Sequence, residues 1–185
     1  MAVGFKLYGH MYGADSPAMS DIMIQNDATV TLGDAVKINT AGGCEPCDAG
    51  DKVFGCVQGL VTKEGTPLAT AAPSEYADGT YSGTGGVFGS ETYTAGDDNL
   101  TDEMIKARIV WDPFAFFYND AAGDLALADE WQFFDLTDED QIADQEGHAT
   151  AGAFQLVKRD PDGDGDASKG VFRIAEWQGS PYAQQ

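Results

Sequence analysis

Apolar residues in this chain recur at a period of two, in short runs cut off by Gly, Asp and Asn. No helical heptad and no long amphipathic helix interrupts them. A chain of that kind must bury its apolar faces by pairing strands. Residues 29–32 alternate polar and apolar, and Gly33-Asp34 then turns the chain into residues 35–39, where Val36 and Ile38 share a face. Residues 52–61 are apolar on both faces and predict a buried strand. In residues 104–111, Ile105, Ala107, Ile109 and Trp111 line one side, while Lys106 and Arg108 line the other; Thr101-Asp102-Glu103 offers a competing helix cap. Residues 114–118 are aromatic and strand-like, and residues 130–134 offer another strand. A closing hairpin pairs 153–158 with 171–177, with Phe154 and Leu156 in phase, as are Phe172 and Ile174. Thr137-Asp138-Glu139-Asp140 reads as a helix start with Thr137 as cap.

The expected fold is mainly β: a compact barrel or sandwich-like domain with long loops and little helix. Its 10 Phe, 7 Tyr and 3 Trp supply a core, and 23 Gly supply turns. Residues 1–20 form an N-terminal arm or the first strand. Residues 21–185 form one β-rich domain. Within it, residues 64–100 are rich in Gly, Ser, Thr and Ala and predict a loop-rich excursion with little core of its own. It holds at most one hairpin, Thr80-Tyr81 with Val87-Phe88. The triplet Ala-Gly-Asp at 49–51, 95–97 and 122–124 is repeated turn chemistry, because its spacings are unequal.

Charge narrows the function classes. With 31 acidic and 10 basic residues the net charge is −21, which repels phosphate backbones and anionic membranes. Direct nucleic-acid binding and membrane docking are therefore not expected. The start lacks a charged region leading into an apolar run, so synthesis in the cytoplasm is expected. Cys44, Cys47 and Cys56 are an odd set of thiols with one CxxC. A zinc site would have to draw on Cys56, His10 and His148 beside this lone CxxC, which lacks the paired spacing of zinc motifs; the reading preferred here places Cys44 and Cys47 in a turn and Cys56 in an apolar strand as a small hydrophobe.

Two kinds of chemistry can be weighed. From Asp160, acids fall at positions 1, 3, 5 and 7 (Asp160, Asp162, Asp164, Asp166), with Gly165 at position 6 and Ser168 at position 9. Alternating hard oxygens around a glycine resemble half of a calcium loop. Position 12 is Val171 in place of a bidentate Glu, so only weak Ca2+ affinity is expected. A soluble acidic hairpin loop is the plainer reading. The acid-rich, base-free residues 129–146 read as a solvated face. Catalysis has little support: His10 and His148 are the only imidazoles, and no nucleophile elbow or phosphate-binding loop occurs. Asn99-Leu100-Thr101 matches a glycosylation sequon, which a cytoplasmic product would not use.

Gly4-Phe5-Lys6-Leu7, the strand around Gly33-Asp34, and the run from Ala49-Gly50-Asp51 to Gln58-Gly59 resemble small tailed-phage head proteins, including capsid-cement families. So do Asp112-Pro113-Phe114, Leu127-Ala128-Asp129 and the closing hairpin, which are similar to virion proteins of phages that infect aquatic bacteria. The likeness leaves out residues 64–100, and the three cysteines and strong acidity depart from the group. The resemblance implies a decoration protein without an active site. It implies binding to the outer capsid face as a homotrimer, bridging subunits of the major capsid protein, and location in the virion. It also makes Phe5, Tyr8, Met11, Tyr12 and Met19 candidate capsid anchors. The alternative is a calcium-assisted host-surface or glycan-binding β-module built on the 160–168 loop. An acidic hydrolase is the third reading, weakened because 31 acids make any carboxylate pair unremarkable as a signal.

Overall fold

The structure, a computed structural model, describes residues 4–11, 17–68, 87–88, 92–97, 99–102, 105–139, 141–142 and 152–175. The fold is mainly β and sandwich-like, and among the described residues no sheet closes into a barrel. The strands are β1 (Lys6–His10), β2 (Met19–Met23), β3 (Thr29–Thr31), β4 (Ala35–Ile38), β5 (Cys44–Pro46), β6 (Gly55–Thr62), β7 (Val87–Phe88) and β8 (Thr92–Thr94). They continue as β9 (Ile105–Val110), β10 (Ala115–Asp120), β11 (Phe133–Phe134), β12 (Leu136–Asp138), β13 (Gln141–Ile142), β14 (Phe154–Arg159) and β15 (Lys169–Ile174). One sheet has the order β1-β10-β15-β14-β11, a second β2-β9-β6-β4-β5, and a third β3-β8-β7; β12 and β13 form a separate hairpin. Strands paired within these sheets run antiparallel.

Period-two alternation puts the second sheet in the middle of the molecule. On β4, β6 and β9, the residues Ala35, Cys56 and Val110 join Phe5, Phe117, Phe154, Leu156 and Phe172 of the first-sheet side in one core. Their neighbours Val36, Val57 and Ile109 point the other way, into a second core with Val30 and Tyr93 of the third sheet. A strand buried on both faces has no solvent side to mark with polar residues, which is why β6 reads as a continuous apolar run.

The N-terminal segment is stitched to the body by long-range bonds. The Phe5 amide donates to the Gly33 carbonyl (2.7 Å), and the Gln58 side chain donates to the Phe5 carbonyl (2.8 Å) and accepts from the Leu7 amide (3.0 Å). Gly4 and Gly33 lie back to back. A Cβ on Gly33 would sit 2.6 Å from the Gly4 Cα, and Gly33 has φ +97°, so only glycine serves there. Gly33-Asp34 therefore passes the chain from the third sheet to the second and closes no hairpin between β3 and β4.

Several local expectations are corrected. Thr137 caps no helix: Leu136–Asp138 is strand β12, paired with β13, and Asp140 lies outside the described residues. Acids that favour a helix N-terminus also favour tight turns, and tertiary pairing decided between them. Cys44–Pro46 is an edge strand and not a turn. Of residues 130–134 only Phe133–Phe134 is strand. Phe88 pairs with Tyr93, and Thr80 and Tyr81 lie outside the described residues. Tyr93 is fully buried, so the end of the 64–100 region contributes to the second core. Its hydroxyl donates to Asn99 Oδ1 (3.1 Å), while Asn99 Nδ2 donates to the carbonyls of Ile24 (2.6 Å) and Ile105 (3.3 Å). Both amide hydrogens of Asn99 are thus engaged in the interior, which closes the sequon to modification in the folded protein.

Candidate functional site

Four of the exposed apolar side chains lie on segments that meet at one carboxylate. Asp112, in the turn from β9 to β10, accepts from the Ala18 amide (3.1 Å), the Phe114 amide (2.9 Å) and His10 Nε2 (3.1 Å). Burial alone would raise its pKa. The two amides and the imidazole outweigh that and hold it below the usual carboxylate range. Asp112 thereby joins the end of β1, an edge of the first sheet, to the start of β2, an edge of the second. The Met11 amide donates to the Phe114 carbonyl (3.0 Å), the Trp111 amide donates to the Ala18 carbonyl (3.1 Å), and Trp111 Nε1 donates to Ser20 Oγ (2.9 Å). Arg108 grips Asp21 with two nitrogens (2.8 and 2.9 Å) and fixes β2 against β9.

On this frame Tyr8 (51% exposed), Met11 (41%), Met19 (46%) and Phe114 (39%) stand out to solvent. Tyr8 sits at a bulge of β1, between Leu7 and Gly9, which re-aims the strand edge. Of the anchors expected from the sequence, Tyr8 and Met11 are exposed. Phe5 is not: it is wholly buried, stacked on Phe154, and belongs to the core. Tyr12 lies outside the described residues. Met19, also expected as an anchor, is exposed at the start of an edge strand, whereas Phe114 was missed. Phe114 follows Asp112-Pro113, so its display depends on pairings that only the fold reveals.

The 160–168 loop joins β14 to β15. Asp160 accepts from the amides of Asp164 (3.2 Å) and Gly165 (3.3 Å), and Asp166 accepts from the Ser168 amide (3.2 Å) and hydroxyl (2.7 Å). Lys169 Nζ reaches Asp164 (2.6 Å) and Asp166 (3.3 Å), so two of the four loop acids are paired with an ammonium. Asp162 has an exposed side chain at the loop tip. Asp120 stands nearby on β10. Its Oδ1 is buried without a hydrogen-bond partner among the described residues, and its pKa is raised by burial and by the charge of Asp166. Among the described residues no three His, Cys, Asp or Glu side chains gather as a metal site.

The three thiols are buried and unpaired. Cys44 faces the second core, whereas Cys47 and Cys56 face the first, so the two ends of the CxxC point to opposite sides of their sheet. Burial raises all three thiol pKa values, that of Cys44 to about 12.

No family model matches the chain, and neither a curated protein nor a solved structure matches it.

Proposed function

We propose that this protein is a structural subunit of a tailed-phage head, which binds the outer capsid surface as a homotrimer and bridges major capsid subunits. In this reading it resides in the virion, holds no active site and works through its exterior. The observation that carries the reading is the apolar corner: Tyr8, Met11, Met19 and Phe114 are exposed on the segments that Asp112 links through His10, Ala18 and Phe114. Apolar side chains carried on hydrogen-bonded backbone dock without ordering the chain beneath them, so they suit a lasting attachment. The −21 charge supports the same reading by favouring a basic shell face. Once copies sit at adjacent shell positions, several modest contacts act together at high effective concentration.

Co-sedimentation with purified shells tests this. The intact protein should pellet with shells, and Met11→Ser combined with Phe114→Ser should weaken attachment by about tenfold or more while leaving the fold intact. Failure of the intact protein to pellet with any shell would end the reading. Point variants are the right instrument, because deleting residues 2–20 would also remove Phe5 from the core and β1 from its sheet.

A further inference from the structure

A second apolar display lies at the other end of the first sheet from β1, in the segment leading to β11. Leu127, in the 3-10 turn Leu127–Asp129, is 68% exposed, and Trp131 is 58% exposed. Trp131 also has φ +72°, a left-handed backbone in which a bulky side chain is disfavoured and glycine is at home. Neighbouring strand β14 dictates that geometry. The Trp131 amide donates to the Leu156 carbonyl (2.8 Å), its carbonyl accepts from the Gln155 side chain (2.8 Å), and the Gln132 carbonyl accepts from the Leu156 amide (3.0 Å). The fold needs this turn of the backbone, but it neither buries the ring nor favours it. A large aromatic kept at such a position points to a task outside the fold.

Charge identifies what the ring would meet. Asp124, Asp129, Glu130 and Asp135 lie in the same segment, and no Lys or Arg occurs between residues 124 and 157. The bases that follow on β14 are engaged: Arg159 donates to the Leu125 carbonyl (3.2 Å) and Lys158 to the Pro161 carbonyl (3.3 Å). We infer that Leu127 and Trp131 form a docking point for a basic segment of a partner protein, with an arginine or lysine lying on the indole face beside the acids of this segment. A cation gains from the aromatic face and from the acids at once. A second copy of this chain is a poor occupant, since it would bring its own −21 charge to an acidic rim. The site is separate from the apolar corner and does not rest on the capsid reading.

The test uses the full chain, isotope-labelled, titrated with a short peptide of alternating arginine and leucine at about 0.15 M salt, where long-range attraction is screened. Trp131→Gly identifies the Trp131 indole N–H signal. In the parent that signal should shift and saturate. A peptide of alternating glutamine and leucine should leave it in place. Trp131→Gly should bind the basic peptide at least about tenfold more weakly, with Tm equal to or above that of the parent, because glycine takes the left-handed turn without penalty. The inference is overturned if the parent does not bind, if Trp131→Gly or the uncharged peptide binds equally well, or if Trp131→Gly lowers Tm. A Trp131 signal that moves with protein concentration alone would name a second copy as the occupant and overturn it as well.

Discussion

The ring of Phe5 stacks on that of Phe154, with centroids 4.3 Å apart and planes 11° from parallel. This contact joins the start of the described chain to the closing hairpin, and both rings are fully buried. Phe5→Ala should therefore cost about 3–5 kcal/mol, the usual range for emptying a buried phenylalanine site. Urea unfolding of parent and variant measures it. A loss under about 1 kcal/mol would mean that the segment is a loose arm, as an anchoring role for Phe5 would require.

The thiols offer a solvent-access test. Because burial pushes all three pKa values up, native protein should resist iodoacetamide at pH 8 and label at all three sites only after unfolding. Rapid labelling of any cysteine in the native state, read by mass, would contradict their placement in the two cores.

Asp120 carries a pH dependence of unusual sign for an acid. Burial and the Asp166 charge raise its folded pKa, so ionising it costs stability. The cost is absent below the unfolded value of about 3.9 and grows as pH rises through the folded value. Asp120→Asn should therefore be more stable than the parent at pH 7, with the difference shrinking on acidification. Thermal melts across that range check it, and a variant less stable at neutral pH would show the carboxylate to be favourably held.

Lys169 bears on the calcium expectation. With its ammonium already on Asp164 and Asp166, calcium should leave Tm unmoved. If the loop did bind with a Kd of about 1 mM, 10 mM calcium would add about 1.4 kcal/mol and raise Tm by several degrees. A calcium titration by calorimetry separates the two.

Much of the sheet content was legible because period-two burial leaves its mark on each strand by itself. Ile105, Ala107 and Ile109 on β9, and Phe154 and Leu156 on β14, are all buried as their alternation requires. What joins distant strands was not legible. Gln58 binds the backbone of Phe5 and Leu7 across more than fifty residues of sequence, and nothing local in either segment signals that partner. An aromatic near the N-terminus therefore looked like an anchor. One signal was present and passed over: residues three apart on a strand face opposite ways, so Cys44 and Cys47 could not share a face once their segment paired as β5. The loop at 160–168 hid the partner of its acids for a related reason. Its acids follow a metal pattern, but the lysine that reaches them lies just beyond it, on β15.

Heating phage shells with and without the protein tests the central claim most directly. Calorimetry of shells lacking this subunit, before and after its addition, should show the rupture transition move up by several degrees, with a smaller shift for the Met11→Ser, Phe114→Ser variant. An unchanged rupture temperature in the presence of saturating, folded protein would contradict a bridging role on the capsid.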